Sequence, residues 1–124
     1  MPRTSISRAT AEHYTWGQGC DGWHLVKDAA MSVIEEQMPP GSAEVFHLHR
    51  AAQQFFFILS GEVTMEAGHE EVRLQAGEGL HIPPGVRHRI SNRSPRVARI
   101  LVISQPPSHG DRAYGIIGLL KVPV

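Results

Sequence analysis

Glycine and proline cut this chain into pieces too short for long helices. Twelve glycines and nine prolines are spread through 124 residues, and the apolar segments between them are brief. Such punctuation favours short strands joined by tight turns. The segments are AEVFHLHR (43–50), QFFFILSGEVTMEA (54–67), EEVRLQ (70–75), GLHI (79–82), VRHRIS (86–91) and VARILVIS (97–104). Turn-forming residues lie between them at Ala67–Glu70, Ala76-Gly77, Pro83-Pro84-Gly85 and Asn92–Pro95, and a bend is expected at Ser60-Gly61. Strands at this spacing predict an all-β antiparallel sandwich or barrel.

The flanks are less decisive. SVIEEQM (32–38) reads as a strand with Val33, Glu35 and Gln37 on one face, whereas LVKDAA (25–30) reads as the start of a helix. Residues 1–24 are expected to form an irregular arm or edge strand packing on a single domain of residues 25–124. In the tail, PPSHGDR (106–112) reads as a loop and GIIGLL (115–120) as an apolar segment of undetermined type.

Composition narrows the partners. Twelve basic and twelve acidic residues give zero formal charge, which offers no field for nucleic acid or an anionic membrane. The densest basic group, Arg87, Arg89, Arg93, Arg96 and Arg99, reads as solvent-facing strand and turn residues. One cysteine, Cys20, cannot close an internal disulfide and reads as structural. No apolar run reaches signal-peptide or membrane-span length, so the expected location is the cytoplasm.

The chemistry lies in the histidines. On a strand, positions i and i+2 point the same way, so Val45, His47 and His49 are expected on one face. Two convergent imidazoles begin a site for Zn, Fe, Mn, Ni or Cu. His88 sits on another strand with Val86 and Ile90, just after the Pro-Pro-Gly corner. Barrel closure would bring it to the first pair and leave positions open for water or substrate.

Two spaced patterns then become recognisable. Gly41, His47, His49, Gln54 and Gly61, with gaps of five, one, four and six residues, resemble the first motif of the cupin superfamily, which carries Glu where this chain has Gln54. Gly77, Pro83, Gly85, His88 and Asn92 resemble the second. The resemblance implies a single-domain cupin β-barrel of jelly-roll topology (a double-stranded β-helix). It also implies one divalent metal ion, Fe, Mn, Ni or Zn, held by His47, His49 and His88, with position 54 as the usual fourth ligand. Gln54 is neutral, so a three-His-plus-Gln set leaves the full double charge on the ion and accepts an anionic substrate or enolate more readily. Alternatively Gln54 only hydrogen-bonds a nearby water, or Gln53 faces inward in its place.

His81 is a candidate general base. Phe56 and Ile58 share the face of Gln54. Phe55, Phe57 and Leu59 face outward and suggest a subunit interface in a homodimer. Tyr14, Trp16, Trp23, His24 and the 109–112 loop pack on the barrel or cap its mouth. The expected function is a metalloenzyme acting on a small oxygenated metabolite, by dioxygenation or by enolate-type isomerisation or lysis. The competing reading is a non-catalytic barrel that binds a small metabolite.

Overall fold

A computed structural model describes residues 3–114 and 122–123. The segment GIIGLL lies outside the described residues. The strands are β1 (Glu12–Trp16), β2 (Cys20–Lys27), β3 (Ser32–Met38), β4 (Leu48–His49), β5 (Gln53–Ser60), β6 (Glu62–Ala67), β7 (Glu70–Gln75), β8 (Gly79–Ile82), β9 (His88–Ser91), β10 (Ala98–Gln105), β11 (Arg112–Tyr114) and β12 (Val122–Pro123). One layer is a six-stranded sheet in the order β1-β2-β3-β10-β5-β8. Two three-stranded sheets, β12-β11-β4 and β7-β6-β9, lie outside it. Isolated bridges join these two: Ala43 pairs with Ser91 and His47 with His88. The arrangement is an all-β jelly roll, as the resemblance implies.

The expected strands form where the alternation placed them. QFFFILSGEVTMEA breaks between β5 and β6 at Gly61, whose φ of +83° is left-handed backbone that a side chain resists. The inner faces then meet: Met38, Phe56, Ile58, Val63, Met65, Leu74, Ile82, Ile90, Ile100 and Val102 form the buried apolar cluster. On the outer face of the large sheet Phe55 and Leu59 are exposed, as the parity of β5 requires.

Residues 12–27 take the edge-strand form of the expectation: they make a hairpin at the edge of the large sheet, and β2, which pairs with β3 from Asp21 to Lys27, runs across the boundary at residue 24. Two expectations need correction. Residues 25–27, expected to start a helix, belong to β2, because the strand continues through its pairing with β3. Val45 does not share the inward face of His47 and His49; it is 67% exposed. The backbone from 44 to 46 leaves strand geometry, so the period of two fails one step before the first histidine.

Candidate metal centre

The three histidines do meet. His47, His49 and His88 are 2%, 3% and 0% exposed, and their nearest ring nitrogens all lie within 4.8 Å of one another. The backbone arranges this. His47 N–H donates to His88 O at 3.1 Å and His88 N–H returns a bond to His47 O at 2.8 Å. His49 O accepts from Gly85 N–H at 2.7 Å, which ties the Pro83-Pro84-Gly85 corner to the second ligand position.

Local bonds fix the rings. Nδ1 of His47 lies 2.7 Å from Val45 O, and Nδ1 of His88 lies 2.8 Å from Val86 O. A carbonyl oxygen only accepts, so Nδ1 carries the proton in both rings and Nε2 keeps its lone pair. Burial, then the charge of Arg112, drives His47 down to about 3, with its histidine neighbours adding to the effect and the Val45 bond opposing. His49 is driven to about 4 by burial, then His88 and Arg112, against Asp111 and Gln54. Burial also lowers His88, against its bond to Val86 and with the help of Arg112. All three rings are therefore neutral imidazoles at pH 7, the ligand form.

Two features fit a cation. Both nitrogens of His49 are buried and have no hydrogen-bond partner, and orphaned buried polar atoms are costly. His88 faces two acceptors with one proton: Nε2 lies 3.1 Å from Gln54 Oε1, while Nδ1 is committed to Val86 O. Two lone pairs facing each other are the arrangement a shared cation resolves. Without a cation, turning the Gln54 amide over lets its NH2 donate to His88 while Ser104 Oγ donates to the amide oxygen.

Gln54 is 6% exposed and also bonds Ser104 Oγ at 3.0 Å; the two are register partners on β5 and β10. Gln53 faces the other way and is exposed. His81 does not join the site. It pairs with Phe55 on the outer face of the large sheet and its Nε2 contacts Gln53 Oε1 at 3.0 Å. Ile82 takes the buried position beside it. The β8 strand alternates by one residue from the parity a general base would need. Two open depressions of about 560 and 770 Å³ contain none of the three histidines among their lining residues.

Sequence reading passed over Glu36 and Glu44, and gave Tyr14 and the 109–112 loop only as packing on the barrel or capping its mouth. Asp111 accepts from the backbone N–H groups of Arg50, Ala51 and Ala52 at 3.2, 2.9 and 2.8 Å, which holds the turn after His49. Its neighbour Arg112 pairs with His49 across β11 and β4. Tyr14, Glu36 and Glu44 are half-buried inside the barrel. Burial pushes Glu36 up to about 7, with Tyr14 and Arg112 opposing. Burial and the charge of Glu36 push Glu44 up to about 8, although Arg112 and the Ile90 N–H oppose this. Burial, then Glu36, pushes the Tyr14 hydroxyl well above its ordinary value. Only parity signals these positions: Ile34, Glu36 and Met38 share the inner face of β3.

Comparison with known proteins agrees with this geometry. The model of the cupin domain matches residues 34–104. The chain belongs to the cupin family. A relative in Methanocaldococcus jannaschii, the uncharacterized protein MJ1618, is 32% identical over 71% of this chain and 71% of its own. The tetracenomycin polyketide synthase protein TcmJ of Streptomyces glaucescens is 31% identical over 56% of this chain and 47% of its own length. Quercetin 2,3-dioxygenase of Bacillus subtilis is 29% identical over 60% and 23% respectively. This cupin thus spans less than half the length of either of the last two. An RmlC-like cupin from Shewanella frigidimarina superposes with a TM-score of 0.76 at 19% identity, covering 86% of this chain and 93% of that one.

Proposed function

We propose that this cupin is a metalloenzyme that holds one divalent ion on His47, His49 and His88, with Gln54 Oε1 as a fourth donor, and acts on a small oxygenated substrate. The observation that carries this reading is His49, a buried imidazole with two unpartnered nitrogens. A divalent ion bound there supplies Lewis acidity, which polarises a carbonyl and favours negative charge on its oxygen. The protein's own part is to keep the rings neutral and aimed. Val45 O and Val86 O orient two of them, and Ser104 orients Gln54. Four neutral donors leave the site positive, and Arg112 adds to this. An anionic or enolisable substrate suits that charge better than a cationic one. The likeness to a polyketide synthase protein supports carbonyl chemistry.

The test is metal content followed by turnover. Protein loaded separately with Mn, Ni, Zn or Fe should retain close to one ion per chain. His49→Ala should retain far less. Loaded protein should then turn over members of a panel of dicarbonyls and sugars. Retention of metal by His49→Ala equal to the parent, or no metal bound by the parent, overturns the reading.

The likeness to quercetin 2,3-dioxygenase favours dioxygenation as the second reading, and oxygen consumption with the Fe-loaded protein separates it from the first. A loaded protein that binds a metabolite without turnover would instead be a binding barrel. We also place the protein in the cytoplasm, where the free, buried Cys20 stays reduced. The outer face of the large sheet is its proposed homodimer interface. Among the described residues no helix is long and apolar enough to cross a membrane.

A further inference from the structure

Gln54 lies between two groups that differ in what they can offer. On one side its Oε1 is 3.1 Å from Nε2 of His88, and on the other its NH2 donates to Ser104 Oγ at 3.0 Å. The strand register sets this row. Gln54 pairs with Ser104 on β10 and with Ile82 on β8. Ile82 is apolar, and Ser104 is 1% exposed. Ser32 on β3 continues the row as the partner of Ser104 and is also buried. His49 stands close enough for the amide to act on it as well, so the ring end of Gln54 faces the histidine cluster.

The ring side has a fixed polarity. Val86 O takes the Nδ1 proton of His88 at 2.8 Å, and the ring cannot turn over without giving up that bond. Nε2 therefore presents a lone pair. Two things can meet it: an ion that also takes the amide oxygen, or an N–H of the amide itself. The hydroxyl side has no fixed polarity. A serine Oγ both donates and accepts, so it matches an NH2 or a carbonyl oxygen equally well. The two ends of a glutamine amide are close to the same size and its last torsion is soft. Turning it over therefore needs no repacking of the row.

We propose that Ser104 makes the Gln54 amide a two-position group whose reversal accompanies binding and release of the ion. With an ion on the histidines, the amide oxygen faces it and the NH2 donates to Ser104 Oγ. Without one, the amide turns over, its NH2 donates to His88 Nε2, and Ser104 donates to the oxygen. The proposal rests on the metal-centre reading. Ser104 is a positioning residue, because it reaches the ion only through Gln54. The arrangement also gives the residue type at position 54 a physical reason. An ionised glutamate has acceptors alone, so against the His88 lone pair it has no second position to take. An amide backed by a hydroxyl closes the gap in either direction. Gln54 is then a competitor for His88 as well as a ligand, and loading exchanges one closed set of hydrogen bonds for another. The ion is held exchangeably.

Nuclear magnetic resonance of the 15N-labelled protein tests the reversal. In metal-free protein at pH 7, a scalar coupling across the N–H···N bond should join Gln54 Nε2 to His88 Nε2. Zinc at one equivalent should abolish it, because the NH2 turns to Ser104. Gln54→Glu has no amide and should lack the signal, which assigns it. A coupling absent from the metal-free protein, or one that bound zinc leaves in place, overturns the proposal.

Zinc affinity, measured by competition with a chromophoric chelator, tests the part of Ser104. Ser104→Ala strands a buried NH2 in the loaded state and only a carbonyl oxygen in the empty one, and an orphaned N–H is the worse tolerated of the two. Affinity should therefore fall about tenfold. Ser104→Thr keeps the hydroxyl and should hold zinc as the parent does. A cavity or misfit at position 104 would lower Tm without this split between alanine and threonine. Equal affinity in Ser104→Ala and the parent, or an equal loss in both variants, overturns the role of Ser104. Zinc bound by the parent with the coupling unchanged refutes the reversal and leaves the metal centre standing. A parent that binds no zinc refutes the metal centre, and the reversal with it.

Discussion

His47 and His88 are bound to each other twice through their backbones, N–H to O in both directions, at 3.1 and 2.8 Å. Their rings stand with centroids 4.4 Å apart. Two ligand positions 41 residues apart in sequence are thus set by one antiparallel bridge, and the side chains follow from it. The scaffold should therefore fold without an ion. Metal-free protein should give a cooperative melt, and added Zn, Ni or Mn should raise Tm. At a hundredfold excess over Kd the gain corresponds to about 2.7 kcal/mol. Calorimetry with and without chelator checks this; unfolding on chelation would refute it.

Acid should weaken the metal-free fold through the same rings. His47 and His49 are held near 3 and 4 when folded against about 6.5 in an unfolded chain. Between these values the unfolded chain binds more protons, so stability rises with pH. The contribution is complete above about pH 6.5 and is lost as pH falls toward 4 and below. Tm of metal-free protein should fall across that window, and the fall should be smaller in His49→Ala, measured at matched ionic strength.

Gly61 tests the bend between β5 and β6. Its φ is +83°, and a Cβ there would sit 2.7 Å from Val97 O and 2.9 Å from Ala98 Cα. Both are backbone atoms and cannot swing aside. Gly61→Ala should cost about 2–4 kcal/mol, above an ordinary surface change. Denaturant unfolding gives the number, and a loss under about 0.5 kcal/mol would contradict the geometry.

The outer face of the large sheet tests the proposed homodimer. Phe55 and Leu59 are 39% and 37% exposed, and Phe55 stacks on Phe57 at 6.3 Å between centroids. Beside them Glu35 is 7% exposed and takes Arg99 in a two-nitrogen contact at 3.0 and 2.8 Å. Phe55→Glu with Leu59→Glu should convert a dimer to a monomer in sedimentation and leave the circular dichroism of the strands unchanged. A monomeric parent would end the proposal.

Much of this was legible in the sequence because β structure writes its period plainly. The faces of β5 and β9, the hairpin at Gly68 and the three histidines all follow from alternation and spacing. Gln54 joined them through the resemblance to the cupin motif, which left Gln53 open, and the structure turns Gln54 inward with Phe56 and Ile58 and leaves Gln53 exposed. The misreadings fall where the period breaks or cannot be phased. Val45 precedes a two-residue strand, and the backbone turns it outward. His81 is separated from His88 by a proline corner, across which parity carries no information. Tyr14, Glu36 and Arg112 have no spacing motif, because three strands distant in sequence bring them together.

The clamp of Asp111 on the amides of Arg50, Ala51 and Ala52 spans 59 to 61 residues of sequence. The turn that follows His49 is thus shaped from the far end of the chain, and its own side chains have little to do there. A peptide or graft carrying residues 41–61 alone would keep His47, His49 and Gln54, and would lose both His88 and the aim of the rest. The recognisable stretch is a parts list, and the instructions for assembling it are written elsewhere in the chain.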